Sequence, residues 1–141
     1  MKILLAADGS EFTRNAARSL VAHLSWFAER PKIQVLHVRP PFPFPHAAAV
    51  AGKSALEGYE REEAQKALAV AEEELRKGNI DFESTWRVGD VAKEIAACAE
   101  DHAIDMIVMG SHGHGALRGV ALGSTTTKVI ATVKVPVLIA R

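Results

Sequence analysis

Short apolar runs and amphipathic stretches alternate along the whole chain. Ile3, Leu4, Leu5, Ala6 and Ala7 are wholly apolar, which predicts a strand covered on both faces. Asp8, Gly9 and Ser10 turn the chain. Phe12, Ala16, Leu20, Leu24 and Phe27 then recur at helical spacing until Pro31. Residues 33–38 read as a second strand. The stretch 39–46 carries Pro40, Pro41, Pro43 and Pro45, which excludes a regular element; with Phe42 and Phe44 it reads as a stiff connector. Ser54 to Glu57 has the form of a capping box. The helix that follows runs through Leu56, Tyr59, Glu63, Ala67, Val70 and Leu75, with Gly78 as its C′ residue. Residues 82–88 alternate as a half-exposed edge strand. Asp90 caps a third helix with Val91, Ile95, Cys98 and Ala99 on one face. Residues 106–109 are a fourth strand, 124–133 a fourth helix, and Pro136 to Ala140 the last strand.

The order is therefore βαβαβαβαβ, with no internal repeat and no shift in composition. Strands separated by helices must run parallel, with right-handed crossovers. The expected fold is a doubly wound, Rossmann-like α/β sheet of five strands, forming a single domain over residues 1–141. Ligands of such sheets sit beyond the carboxyl ends of the strands, where the strand order reverses. Two turns lie at carboxyl ends: Asp8-Gly9-Ser10 and the segment after Met109. Both line one crevice if the first and fourth strands are neighbours.

Charge narrows the partners. Lys+Arg and Asp+Glu are each 17 of the 141 residues, so the net charge is zero. No electrostatic footprint for nucleic acid or an anionic membrane results. No apolar run reaches the roughly 18 residues of a membrane span, and the first apolar run is too short for a signal peptide. A soluble, cytoplasmic protein is expected. The single cysteine, Cys98, sits in an alanine-rich helical pattern and reads as a small buried apolar residue.

The chemistry concentrates in residues 110–124. Glycines at 110, 113, 115, 119 and 123 follow the fourth strand and lead into a helix. Such a loop lets the backbone approach a ligand and visit φ > 0. The helix N-terminus adds unpaired N–H groups and a positive dipole end, which suits phosphate. Competing motifs fall short. Gly52-Lys53-Ser54 is half of a P-loop and follows no strand. Gly113, Gly115 and Arg118 miss the last glycine of a dinucleotide fingerprint. His112 and His114 supply at most two metal ligands, with no third nearby in sequence, so no metal is expected. No nucleophile–base arrangement can be named, and no catalytic residue is assigned.

On these residues the chain resembles the universal stress protein family over essentially its whole length. The family's nucleotide signature, G-x2-G-x9-G-[ST], is met by Gly110, Gly113, Gly123 and Ser124. Asp8 after the first strand, Leu36-His37-Val38 ending the second, and the closing Pro136-Val137-Leu138-Ile139 agree with it. The resemblance implies strand order 3-2-1-4-5 and membership of the ATP-binding subclass. It implies that Ala7, Asp8 and Val38 surround adenine and ribose. Met109, Gly110, His112 and Gly113 would border ribose and phosphates, with Gly123, Ser124 and Thr125 holding phosphate. The expected ligand is ATP, ADP or AMP, with or without Mg2+. The implied role is a regulatory or sensor module in stress response, with an as yet unnamed protein partner and a homodimer through the strand from Pro136 to Ala140. A slow ATPase using the same site and an interaction protein with structural nucleotide are the alternatives. Two departures stand out. His114, also expected at the nucleotide site, occupies a position where the family often has Lys or Arg, exchanging a permanently charged side chain for an imidazole. Thr125, Thr126 and Thr127 make the first helical turn unusually rich in hydroxyls.

Overall fold

The computed structural model describes residues 1–41, 53–115 and 121–141. In chain order they form β1 (Lys2–Ala6), α1 (Glu11–Ala22), a 3-10 turn (Leu24–Trp26), β2 (Lys32–Arg39) and α2 (Lys53–Lys77). Next come β3 (Phe82–Val88), α3 (Val91–Asp101), β4 (Met106–Gly110), α4 (Ser124–Thr132) and β5 (Val137–Ala140). The strands make one all-parallel sheet in the order β3-β2-β1-β4-β5. Ile3 of β1 registers with Ile33 on one side and Met106 on the other.

Strand side chains alternate between the sheet's two faces. Ile3, Leu5, Val35 and Val108 pack with Leu20 of α1 and Leu68 and Leu75 of α2. Leu4, Leu36, Ile107 and Met109 pack with Ile95 of α3 and Val129 of α4. The central strand contributes to both cores, which is why residues 3–5 show no polar alternation and no exposure. Edge strand β3 is half exposed, as its alternation predicts.

Helix ends depart from the sequence reading. The pattern through Leu24 and Phe27 is not one helix: α1 stops at His23, and the 3-10 turn carries the chain on to Phe27. The left-handed residue closing α2 is Asn79 (φ 52°), not Gly78. Ile80 N–H bonds Leu75 C=O and Asn79 N–H bonds Arg76 C=O, a Schellman closure one residue later than expected. Gly78 serves packing instead, since a Cβ there would lie 2.6 Å from Val21 Cγ1. Ala103 (φ 49°) closes α3 in the same way. On α3, Ala92 is buried and Val91 only half-buried. Ser54 lies one residue inside α2, so it is not the cap of that helix. The expectations for Phe42, Pro43, Phe44, Pro45 and His46, for Gly52, and for Arg118 and Gly119 fall outside the described residues.

Candidate functional site

From β1 the chain leaves toward α1 on one face, and from β4 toward α4 on the other. Between these neighbouring strands the carboxyl-end crevice opens. It forms a cleft of about 290 Å³. Its floor is apolar: Ala6, Leu36, Val38, Val91, Ile95 and Met109. Polar groups gather on its rim: Asp8, Thr13, His37, His112, His114 and Thr125.

Asp8 is held from within its own turn. Ser10 N–H (2.9 Å) and the Thr13 hydroxyl (2.7 Å) both donate to its Oδ1. Asp8 N–H donates to Thr13 Oγ1 at 3.0 Å, and Ser10 Oγ caps α1 by accepting Thr13 N–H. With Oδ1 engaged twice, Oδ2 faces Gly113 so closely that a Cβ at Gly113 would collide with it. Gly9, at φ +81°, makes the turn, and a Cβ there would lie 2.9 Å from Ala67 Cα. Behind this turn an ion cluster ties α1 to α2. The buried Glu74 carboxylate accepts from Arg18 and Arg14, each at 3.0 Å, and from Lys77 at 3.2 Å. Led by Arg18, these bonds outweigh the opposing effect of burial and hold its pKa at about 2.

The glycines of the second turn work by proximity. A Cβ at Gly110 would lie 2.6 Å from Phe12 Cβ, and one at Gly123 3.2 Å from His112 Cα. The expectation of φ > 0 is corrected here: among the described residues only Gly9 is a glycine with positive φ, so Gly110, Gly113, Gly115 and Gly123 are not needed for left-handed backbone. Ser111 is buried. Its N–H bonds Ala140 C=O, and its C=O accepts Gly123 N–H at 2.8 Å. Thr126 Oγ1 donates to the Gly110 and Ser111 carbonyls, stitching the first turn of α4 to the end of β4. The hydroxyl-rich turn therefore divides its labour. Thr126 is structural, Thr127 donates back to Gly123 C=O, and Ser124 and Thr125 are exposed. The first α-helical bond of α4 is Thr127 N–H to Gly123 C=O, so the amides of Ser124, Thr125 and Thr126 precede the helical ladder.

Three histidines frame the cleft. His112 stacks obliquely on Phe12 at 5.2 Å, with Nδ1 3.1 Å from Ser111 Oγ. His114 Nε2–H donates to the Asp8 carbonyl, and His37 Nδ1–H to the Ala7 carbonyl, both at 2.8 Å. Ala7 N–H still bonds Leu36 C=O, at 2.9 Å. Among the described residues that is the last main-chain bond between β1 and β2. Val38, two residues on, turns its N–H and C=O to the same side and finds no β1 partner.

Of the residues expected at the site, Ala7, Asp8, Val38, Met109, Gly110, His112, Gly113, His114 and Thr125 line this cleft. Gly123 and Ser124 lie beside it, at the start of α4. Sequence reasoning missed Thr13, His37, Leu36, Val91, Ile95 and Thr126. Thr13 was legible as the residue three after the capping Ser10, Leu36 and His37 as neighbours of Val38, and Thr126 as part of the hydroxyl-rich turn; Val91 and Ile95 come from a distant helix whose pattern marks only a buried face. Among the described residues no three His, Cys, Asp or Glu side chains gather as a metal site. Cys98 is fully buried, and burial pushes its thiol pKa up. No helix among the described residues is long and apolar enough to cross a membrane.

The family model of the Universal stress protein family matches residues 1–141. A universal stress protein of Thermus aquaticus is 31% identical over 99% of this chain and 97% of its own. Two more relatives match over less of their length. Universal stress protein Slr1230 of Synechocystis is 39% identical, over 50% of this chain and 25% of its own. Universal stress protein MJ0577 of Methanocaldococcus jannaschii is 36% identical, over 57% of this chain and 49% of its own. The solved structure of MJ0577 superposes with a TM-score of 0.81, at 29% identity, covering 99% of this chain and 94% of that one. Two further structures share the fold at a TM-score of 0.70: a universal stress protein in complex with cAMP (22% identity, covering 100% and 97%), and one from Archaeoglobus fulgidus in complex with dAMP (21%, covering 100% and 98%). With its whole length matched by the family model, this chain belongs to the universal stress protein family.

Proposed function

We propose that the carboxyl-end cleft binds an adenine nucleotide (ATP, ADP or AMP), and that the protein is a cytoplasmic regulatory or sensor module in stress response. One observation carries the reading. Around one apolar floor stand three things a nucleotide needs: the N–H and C=O of Val38, which find no β1 partner among the described residues, the Asp8 carboxylate, and the amides that precede the helical ladder of α4. The cAMP and dAMP complexes of the fold relatives support it. In this reading Val38, with Leu36 and Met109, receives adenine, and Ala7 and Asp8 Oδ2 receive ribose. Gly110, His112 and Gly113 let the chain approach closely, while Gly123, Ser124 and Thr125 present N–H and hydroxyl donors to phosphate. His114 shapes the rim through its bond to Asp8. Mg2+, where present, would be held by the phosphates and exposed hydroxyls. We read residues 1–141 as one domain. β5 is a sheet edge, and in this reading two copies pair through it.

Calorimetry with AMP, ADP and ATP tests the reading, together with mass spectrometry of whatever co-purifies. Binding of at least one nucleotide at micromolar Kd is expected; no heat with any of the three at millimolar concentration overturns it. Turnover of ATP in the same samples separates a sensor from a slow hydrolase.

A further inference from the structure

We infer that His37 is a positioning residue that makes this cleft selective for adenine over 6-oxopurines, by keeping the main-chain N–H and C=O of Val38 from pairing with the end of β1. The inference rests on the nucleotide reading above.

A parallel ladder advances two residues at a time. Leu36 registers with Ala6, and its C=O accepts Ala7 N–H. The next rung would run from Val38 N–H to Ala7 C=O, and the one after from Gly9 N–H to Val38 C=O. Neither forms among the described residues. Gly9 turns away at φ +81°, which removes the second rung. The first is absent for another reason: His37 Nδ1–H donates to the Ala7 carbonyl that Val38 N–H would use. Meanwhile Gly89 N–H bonds Arg39 C=O at 2.9 Å, so β2 stays paired with β3 past the point where β1 leaves. Val38 is thereby held in extended geometry, almost fully buried, on the wall of the cleft.

The consequence is chemical. One extended residue turns an N–H donor and a C=O acceptor to the same side. Adenine's edge offers the complement, an acceptor at N1 and a donor at the 6-amino group. Hypoxanthine and guanine reverse both groups, with a donor at N1 and an acceptor at O6. A site built on buried polar groups rejects a mismatched ligand strongly, because its own groups are left unpaired. Without the His37 ring, Ala7 C=O loses its donor. The nearest replacement is Val38 N–H, and forming that bond adds one rung and withdraws the donor from adenine. His37 thus acts through Val38 and need not touch the ligand.

The test measures AMP and IMP affinities by calorimetry on the wild type, His37→Ala and His37→Asn. Wild type should favour AMP by tenfold or more. His37→Ala should lose about tenfold in AMP affinity with little change for IMP, so the ratio collapses. Asn places an amide N–H at the position of imidazole Nδ1, and His37→Asn should restore the ratio. An unchanged AMP-to-IMP ratio in His37→Ala overturns the inference while leaving nucleotide binding intact. A wild type that binds neither AMP, ADP nor ATP overturns the nucleotide reading itself, and this inference with it. Should His37→Ala not fold, amide exchange of the wild type decides. In nucleotide-free protein the Leu36 amide should be protected and the Val38 amide not, with AMP conferring protection on Val38. Protection of Val38 without nucleotide overturns the inference.

Discussion

The sheet carries a cleft at each end, and the larger is not the one that looks built for a ligand. At the amino ends of β1, β2 and β3 a groove of about 660 Å³ is lined by Lys2, Arg30, Lys32, Asp81, Glu83 and His102. Two of its cations are already engaged with main-chain carbonyls. Lys2 Nζ donates to His102 C=O and Lys2 N–H to Asp105 Oδ2, while Arg30 donates to Asn79 C=O. At the carboxyl ends the cleft is less than half that size, yet it holds main-chain groups that have no main-chain partner among the described residues. Volume and charge are poor guides here. What separates the two ends is direction: parallel strands and the helices after them bring strand ends, tight turns and helix N-termini to the same side.

The largest effect that tests this contrast should come from Gly113→Val. A side chain there displaces Asp8 Oδ2 or the loop. Nucleotide affinity by calorimetry should fall about a hundredfold or more, with circular dichroism unchanged; retained affinity would place the ligand elsewhere. Next, Leu138→Asp in the edge strand β5 should convert a dimer into a monomer by light scattering at tens of micromolar, roughly where an interface of ordinary size holds. A monomeric wild type removes the dimer.

Asp8→Ala should lower affinity about tenfold. It should also cost about 1–3 kcal/mol of stability in urea, because Ser10 N–H and the Thr13 hydroxyl lose their shared acceptor. An effect on affinity alone would show that the turn does not depend on the carboxylate. The ion cluster behind the turn gives a pH signature. The Glu74 pKa falls from its ordinary 4.5 to about 2 on folding. Its contribution is therefore fully present above pH 4.5 and lost as pH falls through 2. Urea titrations across that window should show about 1–2 kcal/mol of acid loss from this site, discounted for the screening of its partly exposed arginine partners. Glu74→Gln should remove that component; an identical acid profile would refute the cluster's role. Smallest of all, Lys32→Ala in the amino-end groove should leave nucleotide affinity within about twofold. A larger change would break the distinction between the ends.

The sequence alone determined a good deal. Wholly apolar residues 3–5 required a strand buried on both faces, alternation over 82–88 required an edge strand, and strands separated by helices required a parallel sheet. The spacing of Gly110, Gly113, Gly123 and Ser124 singled out the second turn before any contact was known. These features are periodic or local, so they survive in one dimension. Tertiary structure alone decided how they are used. Gly113 is small because a carboxylate 105 positions earlier faces it, not because its φ is positive. His37 carried no motif of its own beyond its place in Leu36-His37-Val38. It acquires a role only where β1 ends beside β2 and a carbonyl 30 residues away needs a donor. Thr126, one of three threonines in a row, is the one turned inward, because the start of α4 sits over the end of β4. Periodicity records which face of an element is buried; which polar group is left without a partner depends on where neighbouring strands stop, and that is settled only by their register in space.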